Sequence, residues 1–108
     1  MQGTGAIFVR EQKRTGIPSA LGAGISEAES SCGKCNFAPY NYWGGMGYPG
    51  GFSGWDESTA TLYNFLVNYF GCPQTMYQCP GYCEGNGTMA NVDRIQKYIE
   101  SMNANHIN

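Results

Sequence analysis

The apolar positions of this chain follow three different rhythms. Between residues 56 and 70 they come nearly all round the helical turn, as Leu62, Tyr63, Phe65, Leu66, Val67, Tyr69 and Phe70. That crowding predicts a helix over 56–70 that is central and contacted on several sides. Ser53 and Asp56 stand three apart at its entry, and acidic Asp56 and Glu57 complement the positive end of the helix dipole. Gly71 comes next, at the C-terminal cap position, and Pro73 blocks continuation. From 88 to 103 the rhythm is amphipathic. Val92, Ile95, Ile99 and Met102 form one stripe with Tyr98 beside it, and Asp93, Arg94, Gln96, Lys97 and Glu100 are expected to face water. Thr88 can cap this second helix, and residues 103–108 are expected to fray.

The first third of the chain reads less cleanly. Residues 5–10, Gly-Ala-Ile-Phe-Val-Arg, are rich in β-branched and aromatic side chains, which predicts a short strand leading into a polar turn. No second equally clear strand offers itself as partner, so residues 74–79 or another copy of the chain would have to pair with it. Residues 17–30 are ambiguous. Ile17, Leu21, Ile25 and Ala28 fall near helical spacing and Pro18 suits a first helical position. Against this, Gly22 and Gly24 each cost a helix about 1 kcal/mol. Ser26 and Glu29 could instead form a capping box leading to Cys32.

The stretch 36–55 has no period at all. Tyr40, Tyr42, Trp43, Tyr48, Phe52 and Trp55 alternate with Gly44, Gly45, Gly47, Gly50, Gly51 and Gly54. Glycine this dense permits tight turns and works against regular structure. An ordered loop packed by its own rings is expected. Its rings either cover one side of the core or form a binding face, since aromatic rings suit sugars, peptides and partner chains. The expected fold class is mainly α, with α+β carrying a minor short sheet as the alternative. Two helices, 56–70 and 88–103, are joined by a cysteine-pinned loop over 72–87, and the aromatic–glycine loop lies over them. All 108 residues form one domain.

Composition narrows the function classes. Charged residues make up only 13% of the chain, about half the usual ~25%. A surface built from Gly, Asn, Ser, Thr and Tyr is commoner in secreted or assembled proteins. The net charge of −2 implies no general affinity for nucleic acid. The one basic cluster, Arg10, Lys13 and Arg14, reads as a solvated turn. No apolar run approaches the ~18 residues of a membrane span. Residues 1–30 also lack the basic start and apolar core of a signal peptide.

Five cysteines, Cys32, Cys35, Cys72, Cys79 and Cys83, admit two pictures. In the oxidised one, Cys32 or Cys35 bridges to the 72–83 segment, closing a loop of about 40 residues worth roughly 3–4 kcal/mol. One thiol is then left free or pairs between chains. In the reduced one, Cys32, Cys35, Cys79 and Cys83 hold a structural zinc ion, and Cys72 is spare. Low charge, aromatic content and an Asn-Gly-Thr glycosylation acceptor at Asn86 favour disulfides.

Nothing converges on a recognisable catalytic set. His106, the only histidine, falls in the expected frayed tail. Asp56 and Glu57 beside Trp55, with Glu84, are the only carboxylates placed near the aromatic stretch for work on a glycan. Helix N-terminal charge already accounts for the first two. The expectation is therefore a secreted, disulfide-stabilised interaction protein, with enzymatic activity left uncertain and leaning towards none. Its partner is a protein or glycan bound through Tyr40, Tyr42, Trp43, Tyr48, Phe52 and Trp55, and the odd cysteine or the edge strand offers a route to a homo-oligomer. A cytoplasmic zinc-binding adaptor and a small glycan-acting hydrolase are the alternatives.

Overall fold

The computed structural model of the chain describes residues 3–30, 38–43, 50–79 and 93–101. Over these residues the protein is mainly helical: α1 is Gly5–Thr15, α2 is Ser19–Ser30, α3 is Trp55–Phe70, and residues 93–101 form α4. A single 3-10 turn, Met76–Gln78, lies between α3 and α4. There is no strand among the described residues, and no helix there is long and apolar enough to cross a membrane.

The strand expected over 5–10 is the first half of α1. Its β-branched residues are outweighed by the second half, where Glu11, Gln12, Lys13 and Arg14 are good helix formers. Packing completes the reversal. Phe8 and Glu11, three apart on one helical face, are the buried pair of α1, and a strand would turn them to opposite sides. The helix ends at Gly16, whose φ of 80° is left-handed and whose N–H donates to the Gln12 carbonyl at 2.8 Å. Lys13 and Arg14 sit in its last turn, where the dipole favours cations. The basic cluster is thus helical, not a turn.

In α2 the two glycines that made the sequence ambiguous explain the packing. Gly22 faces Tyr63 of α3 so closely that a Cβ there would lie 2.6 Å from the ring and its hydroxyl. Gly24 faces the opposite way, where a Cβ would lie 2.7 Å from Ile99 of α4. The conformational cost of glycine is exchanged for close approach on two sides. With Leu21, Ile25 and Ser26 also buried, α2 is the most enclosed helix of the described set. The Tyr63 hydroxyl organises its start, accepting from Gly22 N–H at 3.2 Å and donating to the Pro18 or Ser19 carbonyl at 3.0 or 3.2 Å.

Expected to be central, α3 is instead buried on one face only, through Ser58, Thr59, Leu62, Tyr63 and Leu66. Its outer side is open, with Val67 40% and Tyr69 72% exposed. At its entry Gly54 supplies no side-chain cap, and Ser53 Oγ donates instead to Glu57 Oε2 at 2.9 Å.

No disulfide pins the described part of the 72–87 connection. Cys72 is an exposed free thiol and Cys79 a buried one. Hydrogen bonds hold it in place of cross-links. Gln74 Nε2 donates to the Gly16 carbonyl at 3.1 Å, Met76 N–H to Gln96 Oε1 at 2.8 Å, and Tyr77 Oη to Asp93 Oδ1 at 2.7 Å. Gln96, expected to face water, is therefore buried as an acceptor under the 3-10 turn. Ile95 and Ile99 are buried as the stripe predicts. Cys32, Cys35, Cys83, Tyr48, Glu84, Asn86, Thr88, His106 and the tail all lie outside the described residues.

Candidate binding site

The aromatic–glycine stretch supplies a corner, formed by residues 38–43 and 50–52, that packs on α1 and α3. A tight turn opens it: Asn41 N–H donates to the Ala38 carbonyl at 3.0 Å and Tyr42 N–H to the Tyr40 carbonyl at 3.1 Å. Phe52 N–H donates to the Pro39 carbonyl at 2.7 Å, closing the two arms together. Gly51 makes that closure possible. Its φ is 77°, and a Cβ there would lie 2.3 Å from the Pro39 oxygen. Tyr40 sits at φ 58°, the one described residue other than glycine with a left-handed backbone. That conformation is costly for a bulky side chain and persists only where the surroundings enforce it.

The corner divides the predicted aromatic set. Tyr42, Trp43 and Phe52 are core residues. The Tyr42 ring meets Phe8 edge-on at 6.1 Å, and its hydroxyl donates to Thr59 Oγ1 at 2.9 Å. Burial pushes that phenol well above the ordinary tyrosine range, so it stays a donor. Trp43 stacks on Phe52 at 6.1 Å and lies 5.9 Å from Phe65. Of the six rings, the described structure leaves Tyr40 and Trp55 partly open to solvent. They meet at 4.7 Å with their planes at 84°, an edge-to-face pair.

Polar groups stand next to Trp55 at the start of α3. Arg10 reaches across from α1 to the Asp56 carboxylate and, at 3.4 Å, to the Asp56 carbonyl. Asp56 keeps most of its side chain in water, at 70% exposure. Beside Arg10 lies Glu11, 1% exposed, which accepts from Arg10 Nε at 2.9 Å and from Arg14 Nε at 2.9 Å. Arg14 also donates to Asn64 Oδ1 at 2.8 Å and to the Ala60 carbonyl at 3.5 Å. This network is absent from the sequence expectation because residues 5–10 read as a strand. The signal was present as Arg10 and Arg14, four apart, on either side of Glu11. On a helix those positions share a face.

The other predicted site residues are more scattered. Glu57 bonds Ser53 at the helix entry, so both first-turn carboxylates of α3 have partners. Cys79 is the one member of the alternative zinc set inside the described residues. Burial pushes its thiol up to about 11. Among the described residues no group of three or more His, Cys, Asp or Glu could hold a metal ion.

A second surface stands out by its chemistry. No charged residue occurs between Glu57 and Glu84. Asn64, Val67, Asn68, Tyr69, Cys72, Gln74, Tyr77 and Gln78 are exposed there, all uncharged. No family model, no curated protein and no solved structure matches the chain.

Proposed function

We propose that the protein is an interaction protein that recognises a glycan at the ring pair of Tyr40 and Trp55, and that it works outside the cell. The observation that carries this reading is the edge-to-face pair itself, presented by a left-handed Tyr40, with the Asp56 carboxylate and the Arg10 guanidinium next to Trp55. A pyranose offers an apolar C–H face surrounded by hydroxyl groups. It is matched by an exposed ring face with fixed donors and acceptors at its edge. Low charge and an aromatic-rich loop are the compositional support for an extracellular setting.

The probes are soluble β-1,4-linked glucose and N-acetylglucosamine hexamers, whose equatorial hydroxyls leave both ring faces apolar. Isothermal titration calorimetry reads binding in every form of the chain, including Trp55→Ala, where the half-buried Trp55 is no longer present as a fluorescent reporter. Trp55→Ala and Tyr40→Ala should each weaken binding by roughly 1–2 kcal/mol, about 5- to 30-fold in Kd. No binding of either hexamer at millimolar concentration, or binding by both variants as tight as by the unaltered chain, would sink the assignment.

Asp56 and Glu57 beside the same ring pair favour one second reading, a small glycan-acting hydrolase. New reducing ends in the same incubations, lost in Asp56→Asn or Glu57→Gln, would establish it over simple binding.

A further inference from the structure

Residues 5–10 are in conflict with their own preference. Ile7, Phe8 and Val9 favour extended backbone, yet they lie in α1. As a helix they enclose Phe8 and half-bury Ile7, while Val9 is 44% exposed. Beside the Phe8 packing, an ionic contact fastens the centre of α1. Glu11 is buried between Arg10 and Arg14, and the arginines carry the contact onto α3 through Asp56, Asn64 and the Ala60 carbonyl. Both guanidinium groups are nearly half exposed, so each can return to water once its carboxylate is removed.

We propose that this ionic clasp holds a β-prone segment in helical form, and that on release residues 5–10 pair as a strand with the same segment of a second copy of the chain. Residues 4–9 carry no charge and no proline, the composition of a self-pairing strand. Arg10 closes the segment. In-register parallel pairing would stack the Arg10 side chains, whereas antiparallel pairing separates them, so the antiparallel arrangement is favoured. Losing the clasp raises the population of openings that expose this segment.

The test uses the full chain in four forms: unaltered, Glu11→Gln, Val9→Lys, and the double variant. Sedimentation velocity reads the monomer, thioflavin fluorescence and the amide I band read intermolecular β structure, and circular dichroism reads helix. Glu11→Gln should raise the rate of β assembly by about a hundredfold, because ~1.4 kcal/mol of lost docking raises the released population tenfold and pairing takes two released copies. Adding Val9→Lys should return it to the unaltered rate, because a charge placed within the strand opposes pairing. Two results would overturn the proposal. One is a Glu11→Gln protein that stays monomeric and helical. The other is assembly at the same rate with and without Val9→Lys, which would mark general unfolding and not release of this segment.

Discussion

Replacing Tyr63 by Phe removes one oxygen atom and tests how α2 is held. The ring stays, so the close packing against Gly22 is unchanged. What disappears is the hydroxyl that accepts from Gly22 N–H at 3.2 Å and donates to one of two carbonyls, Pro18 at 3.0 Å or Ser19 at 3.2 Å. Having one proton, it donates one hydrogen bond at a time, so two bonds are lost. Each nets about 1 kcal/mol in a folded protein. The Pro18 carbonyl retains Leu21 N–H as a partner at 3.1 Å, which softens the loss on that side. The burial gained by a phenyl ring offsets a few tenths more. The sum is a destabilisation of about 1.5 kcal/mol. With a urea m-value of about 1–3 kcal/mol/M for a chain this size, the unfolding midpoint should fall by roughly 1 M at unchanged slope. Urea titration monitored by circular dichroism measures it. A loss under ~0.5 kcal/mol at constant m would refute the reasoning, because it would mean that the hydroxyl is already solvated and does not organise the start of α2.

Gly24→Ala should cost about 1 kcal/mol, because overpacking against Ile99 outweighs the helix-propensity gain. Combining it with Ile99→Ala in a double-mutant cycle should show a total smaller than the sum. Of the two described thiols, exposed Cys72 should be alkylated in the native protein within minutes, and buried Cys79, its thiol pushed up to about 11, only on unfolding. Peptide mapping after a timed pulse separates them, and equal labelling would contradict the fold at 72–79. Intact mass under non-reducing, metal-retaining conditions should carry no zinc if the extracellular reading holds, and one bound zinc would favour the adaptor alternative. The Tyr77 hydrogen bond, with help from Lys97, holds the Asp93 carboxyl below its ordinary range. A depressed folded value stabilises above the unfolded value of about 3.9 and is lost as pH falls through the folded one. Asp93→Asn should therefore lower the neutral plateau slightly and make the fall in stability below pH ~4 shallower, as urea midpoints measured across pH would show.

Much of the helical architecture is legible in the order of residues. Periodic spacing locates α3 within one residue at its start and identifies Ile95 and Ile99 as the buried positions of α4. The failures share a cause, since each turns on a contact between elements that local pattern does not encode. Residues 5–10 fold as a helix because Phe8 meets Tyr42 and Glu11 is buried beside two arginines. Gly22 and Gly24 look like helix breakers until Tyr63 and Ile99 are seen to occupy the space a side chain would fill. Gln96 is polar and buried because a backbone N–H, that of Met76, needs an acceptor.

The same reasoning changes how the aromatic stretch is understood. Tyr42, Trp43 and Phe52 join Leu62, Leu66, Ile17 and Leu21 in one core, so these rings supply apolar area that the helices alone do not. A chain of this length buries only about two thirds of its unfolded surface, and large rings are an efficient way to fill it. Trp43→Ala would therefore act on the fold, at about 3–5 kcal/mol, before it could report on a partner. Trp55→Ala removes a half-buried ring that packs against the edge of that core, so it should cost less than Trp43→Ala. A face read as six contact residues becomes, in the described structure, a core triad with two rings at its edge. Those two, Tyr40 and Trp55, are where a binding measurement is least entangled with the core, provided the stability of each variant is measured beside it.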